Sequence, residues 1–255
     1  MLPGQLIAPG GTIDGLQLCS QVVLLVHGFN VNLANGTAEL RALSANVPAL
    51  GATTAAVAVL WPGDSIVGPL SYPFETNNAD DSATALATYV DDNLPQKPRL
   101  SLVGHSLGCR VVMETARQLW IKGIPVDQIC LMAAAIDNDS LAQTPYRPAA
   151  QFAARVGVLY SPADQVLEFA YPAGNLLSAF LHWTATTDAA LGYTGPRGAT
   201  GSVPKDVVAV AIAKNLGVDH GDYLPAGTGL LNPHQQAAAR FVNSMLSGAV
   251  PLLYG

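Results

Sequence analysis

Arg99-Leu100-Ser101-Leu102-Val103-Gly104-His105-Ser106-Leu107-Gly108-Cys109-Arg110-Val111 joins an apolar run that reads as a strand, Arg99 to Val103, to a helical pattern starting near Leu107. At the junction, Gly104-His105-Ser106-Leu107-Gly108 matches G-x-S-x-G. In that elbow a serine sits on a strand-to-helix corner so tight that a Cβ at either glycine would collide with the neighbouring strand or helix. The corner lifts the serine Oγ above the sheet edge, where it can act as a nucleophile. The helix behind it aims unpaired N–H groups and its positive dipole end at the same place, which suits a reaction passing through an oxyanion. The pentapeptide alone is a weak signal in a chain with 24 glycines, so its surroundings must carry the reading.

Upstream, Gln21-Val22-Val23-Leu24-Leu25-Val26 is a continuous apolar run with β-branched residues, the pattern of a strand buried on both faces. His27-Gly28-Phe29-Asn30 follows at once, and a loop of this kind is placed to supply a second oxyanion donor. Further buried-strand candidates are Ala55 to Leu60, Gln128 to Met132, Val156 to Tyr160 and Val207 to Ala213. Helical patterns lie between them at Thr37 to Asn46, Ala79 to Asn93, Leu107 to Lys122 and Pro233 to Ser247, the last with Asn232 as N-cap and Pro233 in the first turn. This alternation predicts a single α/β domain over residues 1–255, with a mostly parallel twisted sheet and helices on both faces. Right-handed crossovers then gather the loops that follow the strands on one rim. Two insertions break the rhythm, at about 61–78 and 169–204, and loops of that length read as lids or binding loops.

A serine hydroxyl needs an imidazole to take its proton and a carboxylate to orient that imidazole. Of five histidines, His27 belongs to the oxyanion loop, His105 to the elbow, His182 to the second insertion and His234 to the last helix. His220, in Val218-Asp219-His220-Gly221-Asp222-Tyr223 beyond the last strand, fits best as the base. Asp164, in the turn Ser161-Pro162-Ala163-Asp164 after the strand ending at Tyr160, is the candidate acid. Its competing role is to cap a helix begun by Gln165-Val166-Leu167-Glu168. Asp137 and Asp139 are the rival carboxylates, better suited to turns. The expected oxyanion donors are the backbone N–H groups of Leu107 and Phe29. Trp61, His105 and Asn30 are candidates for the substrate-facing wall. The Trp61 indole reads equally as core, and Asn30 and His27 as braces of their loop. Tyr72, Phe74, Tyr171, Phe180, Trp183 and Tyr193 populate the insertions and suggest an apolar acyl or alcohol pocket.

Only 12% of the residues are charged and the net charge of −6 is spread without blocks, which excludes the basic patch a nucleic-acid partner requires. No Lys or Arg precedes Arg41, so a secretory n-region is missing and a cytoplasmic location is expected. Phe169 to Thr187 lacks Asp, Glu, Lys and Arg but contains Pro172, Gly174, Asn175 and His182, and reads as protein-covered rather than membrane-spanning. Cys19, Cys109 and Cys130 are too few and scattered for a disulfide framework or a zinc site, and are expected as free thiols with the latter two buried.

Taken together, His27-Gly28-Phe29-Asn30-Val31, Trp61-Pro62-Gly63-Asp64, His105-Ser106-Leu107-Gly108-Cys109-Arg110-Val111, Ala134-Ala135-Ile136-Asp137 and His220-Gly221-Asp222-Tyr223 resemble the α/β-hydrolase superfamily from Val22 to about Leu246. More narrowly, they resemble a bacterial group of uncharacterised α/β hydrolases with an HGFN-V or HGYN-V opening and an H-S-[LM]-G-x-R-V elbow. Ala135 stands where that group often has an aspartate. The resemblance implies Ser106 as nucleophile, Asp164 as acid, His220 as base, and no cofactor or metal. The expectation is a serine hydrolase of carboxylic esters acting on small molecules through an acyl-enzyme. Alternatives are a lipase or acyltransferase with the same residues, or a non-catalytic hydrolase-like binding module. Homo-oligomerisation is left open.

Overall fold

A computed structural model describes residues 15–50, 53–63, 72–94, 98–171, 189–199, 201–224 and 233–251. Among these residues six strands, β1 (Gln21–Val26), β2 (Thr54–Val59), β3 (Arg99–His105), β4 (Gln128–Met132), β5 (Arg155–Tyr160) and β6 (Val207–Ala211), form one sheet in the order β2-β1-β3-β4-β5-β6. Every neighbouring pair is parallel. The long helices are α1 (Leu33–Ala45), α2 (Tyr72–Asn93), α3 (Gly108–Ile121) and, closing the chain, Pro233–Leu246. Two short ones, α4 (Arg147–Phe152) and α5 (Leu191–Thr194), precede that last helix, which is α6.

The unbroken apolar run of β1 is explained by its two neighbours and two covered faces. Val22, Leu24 and Val26 pack into a core with Ala83 and Val90 of α2 and Val112 and Leu119 of α3. Val23 and Leu25, pointing the other way, pack with Leu40 and Leu43 of α1 and Phe241 and Met245 of α6. Alternate side chains of Val22–Val26 thus feed separate apolar layers, while buried Gln21, at the start of β1, is satisfied by donating its Nε2–H to the Oγ of buried Ser101 on β3 at 3.2 Å. Arg110, at the start of α3, fixes α2 by a fork of two hydrogen bonds to Asp80, Nε to Oδ1 and Nη2 to Oδ2, each 2.8 Å.

The strand expectations hold to within one or two residues at each end, but β2 and β6, expected as buried strands, are the two edges of the sheet, each with a single neighbour, and leave Ala58 and Ala209 exposed. Two helices start earlier than the sequence suggested. α1 begins at Leu33 because the Asn32 side chain caps it, accepting the Asn35 N–H at 2.9 Å. Its first turn was hidden by Asn35 and Gly36, poor helix formers. Gly36 is there for packing, since a Cβ would lie 3.0 Å from His27 Cδ2. α2 begins at Tyr72, so residues 72–78 are helix rather than part of a loop, and residues 64–71 of the first insertion lie outside the described residues. So do Asn232, the expected cap of α6, and 172–188 of the second insertion, including Phe180, His182 and Trp183. The returning end of that insertion is ordered against the sheet rim: Ala190 bridges Asp137, and the Leu191 N–H donates to Ile136 O at 2.8 Å. Among the described residues no helix is long and apolar enough to cross a membrane. Cys19, Cys109 and Cys130 are free, the latter two buried, and burial pushes both of those thiols well up from their ordinary range.

Candidate active site

β3 ends at His105 and α3 begins at Gly108, leaving two residues to reverse the chain. Ser106 takes φ 54°, a left-handed conformation costly for a residue with a Cβ. The surroundings enforce it. Its N–H donates to Met132 O at 3.0 Å and its C=O accepts the Ala135 N–H at 3.2 Å, so the exit of β4 grips both sides of its backbone. The flanking glycines are obligatory for contact reasons. A Cβ on Gly104 would come 2.9 Å from Gly108 O, and one on Gly108 would come 2.2 Å from His27 O. A Cβ on Gly28 would meet Ser106 Cβ at 2.9 Å, so the His27–Gly28 turn lies directly beside the serine.

Three segments meet at Ser106 Oγ. The serine hydroxyl donates to His220 Nε2 at 2.8 Å, and His220 Nδ1–H donates to Asp164 Oδ2 at 2.9 Å. Asp164 is wholly buried, 0% exposed, whereas the His220 side chain keeps 16% of its surface. The other Asp164 oxygen, Oδ1, accepts the Leu167 N–H at 2.9 Å, capping a single π turn over Val166–Ala170. The two roles foreseen for Asp164, partner of an imidazole and cap of a helical turn, are therefore filled together by its two oxygens. Asp137 serves elsewhere: its Oδ1 accepts the Tyr171 hydroxyl at 2.8 Å. Tyr171, expected near a substrate pocket, is thereby buried as an anchor.

His220 stands on a single turn, His220–Asp222, fixed largely by side chains. Asp219 Oδ1 accepts the His220 N–H at 2.8 Å and the Gln165 N–H at 2.9 Å, while Asp222 Oδ2 accepts the Asp219 N–H at 2.9 Å. Ser161 Oγ–H donates to Val218 O at 2.6 Å. These bonds tie the turn to the segment that carries Asp164. Sequence reasoning passed over Asp219 and Asp222, although their i, i+3 spacing around His220 is that of a capping box.

The remaining candidates are placed as follows. Trp61 is 5% exposed, its indole Nε1–H donates to His27 O at 2.8 Å, and its ring stacks on the His27 imidazole at 5.8 Å. It takes the core position foreseen as its alternative. His27 Nδ1–H donates to Gly28 O at 2.8 Å and Nε2 accepts the Trp61 N–H at 3.3 Å, a pairing that assigns the ring proton to Nδ1. Asn30 is exposed in the left-handed region, φ 58°, with its N–H on Gly63 O at 2.6 Å. Phe29 is half-buried and Leu107 buried. His105 is 8% exposed, and its Nε2–H donates to the His220 carbonyl at 3.1 Å. Burial, reinforced by the neighbouring His220, lowers its pKa to about 3, so the ring is neutral near pH 7. Among the described residues no cluster of His, Cys, Asp or Glu could hold a metal ion.

A parallel sheet of this strand order, with a strained serine at the β3–α3 corner and a histidine and an aspartate brought to it from later loops, defines an α/β-hydrolase fold. Residues 17–174 match the family model described as alpha/beta hydrolase of unknown function (DUF900), and the chain belongs to that family. No curated protein matches the chain. Among solved structures, one described with LipS and LipT, two metagenome-derived lipolytic enzymes, is 12% identical over 93% of this chain and 99% of that one, with TM-score 0.50. RedJ, described as a thioesterase of the prodiginine pathway in Streptomyces coelicolor, is 11% identical over 89% and 94%, with TM-score 0.50. At such identities the likeness concerns the fold alone.

Proposed function

We propose that the protein is a serine hydrolase of carboxylic esters, with Ser106 as nucleophile, His220 as base and Asp164 as acid. The observation that carries this reading is the continuous hydrogen-bond chain from Ser106 Oγ through His220 to buried Asp164, 2.8 and 2.9 Å, assembled from three segments far apart in sequence. Ser106 Oγ attacks the ester carbonyl while its proton passes to His220 Nε2. Asp164, accepting Nδ1–H, stabilises the imidazolium that forms. The tetrahedral oxyanion is held by the backbone N–H groups of Leu107, the N-cap of α3 directly after the elbow serine, and of Phe29, next to Gly28, where an added Cβ would meet Ser106 Cβ at 2.9 Å. His220 then gives its proton to the leaving alcohol as the C–O bond breaks. Water repeats the sequence on the acyl-enzyme, losing its proton to His220 and releasing the acid and Ser106.

No cofactor enters this scheme. Asn30, exposed at the rim of the loop, is the substrate-facing member of the three candidates, and Trp61 acts from beneath as a brace. The substrate is a small ester with an apolar acyl or alcohol part, met by a protein acting in the cytoplasm. The test is hydrolysis of a series of nitrophenyl esters of increasing chain length by the unmodified protein and by Ser106→Ala. Turnover by the unmodified protein that falls roughly four to six orders of magnitude in a folded Ser106→Ala supports the reading. A variant as active as its parent would exclude it. Running the series with an added alcohol acceptor separates hydrolysis from acyl transfer.

A further inference from the structure

We infer that His105 is a positioning residue for the proposed base: its Nε2–H, donated to the carbonyl of His220, sets the reach of the His220 imidazole toward Ser106. The inference rests on the reading of Ser106 and His220 given above. Its starting point is an asymmetry in how the base turn is held. Asp219 bonds to Gln165 and Val218 to Ser161, so these ties run toward the segment of Asp164. A turn fastened on that side alone is free to pivot about Asp164. Such a pivot would lengthen the His220–Ser106 bond without disturbing the His220–Asp164 bond.

His105 supplies the opposing tie. It is the last residue of β3, adjacent in the chain to the nucleophile, so its backbone position is locked to that of Ser106. Its ring lies 5.1 Å from the His220 ring and 5.8 Å from that of Tyr223, which is 1% exposed. A carbonyl oxygen can only accept, so the 3.1 Å contact with His220 O requires the proton on Nε2. A neutral ring carries that proton without placing a second positive charge beside the imidazolium formed during catalysis. His105 thus acts through His220. Its Nε2 is already committed to the His220 carbonyl, so that atom is not offered to the ester.

The test compares His105→Phe, which keeps a ring against Tyr223 but has no N–H, with His105→Gln, whose amide N–H reaches about as far as Nε2. Activity is measured as kcat per active site titrated with a fluorophosphonate, so that a merely structural loss lowers the titrated fraction and leaves the rate per site unchanged. The expected result for His105→Phe is a fall in kcat per site of about 10- to 100-fold with KM within about twofold, the cost of a reacting group displaced by a fraction of an ångström. His105→Gln should recover most of that loss. Unchanged kcat per site in His105→Phe, or a change confined to KM, overturns the inference and leaves the ester-hydrolase reading standing. An unmodified protein that neither hydrolyses esters nor labels overturns both. If either variant fails to fold, ¹⁵N-imidazole spectra of the unmodified protein decide: a His105 ring protonated at Nε2 and bare at Nδ1 supports the inference, and the opposite tautomer overturns it.

Discussion

The proposed nucleophile and the proposed base are positioned by different means. Ser106 is held by backbone: bonds to Met132 and Ala135 on either side, and glycines at 104 and 108 against which no Cβ fits. His220 is held by side chains, those of Asp219, Asp222, Ser161 and His105, on a turn where Gly221 has nothing within 4 Å of an added Cβ. The elbow is therefore specified by excluded volume and fails as a unit. The base turn is specified by several hydrogen bonds that can be removed one at a time.

Substitutions in the two regions should differ accordingly. The largest effect after Ser106→Ala is expected for Asp164→Asn, which keeps an acceptor for the Leu167 N–H but favours the wrong His220 tautomer. Its kcat should fall by roughly four orders of magnitude with little change in melting temperature, as read from steady-state rates and thermal unfolding. A drop of less than tenfold would mean that another carboxylate orients His220. Gly108→Ala should then cost about 3 kcal/mol by overpacking against His27 O, lowering Tm by about 10 °C, whereas Gly221→Ala should stay within about 0.5 kcal/mol of the parent. Equal melting temperatures for the pair would erase the contrast between the regions.

Asp219→Ala removes one cap and one cross-tie. A loss of about 1 kcal/mol in unfolding free energy and a few-fold fall in kcat are expected, measurable by urea titration and ester turnover. A further effect concerns pH. Folded His105 stays neutral down to about 3 while its unfolded counterpart takes a proton near 6.5, so the unfolded state binds more protons between those values. Stability from this source is complete above about 6.5 and declines as pH falls toward about 3. Urea midpoints at pH 7 and pH 5 should show a decline in the parent that is shallower in His105→Gln, and identical slopes would remove His105 from the account of acid sensitivity.

Much of this arrangement was legible in the sequence because it rests on local rules. Uninterrupted apolar runs marked the strands of a sheet covered on both faces, and paired glycines marked the elbow. The order of Ser106, Asp164 and His220 along the chain matched the order in which strands deliver loops to one rim. What stayed hidden depends on contacts between distant segments. Asn35 and Gly36 concealed the first turn of α1, since Gly36 answers to the His27 ring rather than to helix propensity. Trp61 reads as pocket or core until its indole is seen on His27 O. Asp164 reads as helix cap or as partner of an imidazole until each of its oxygens is given a partner.

The central claim is that Ser106 is an activated nucleophile, and the most direct measurement is labelling of the folded protein with a fluorophosphonate, read as adduct mass and modified peptide, with heat-denatured protein as control. The expected result is one adduct per chain, on Ser106, formed only in the folded state. A folded, unlabelled protein, or an adduct on another serine, would contradict it.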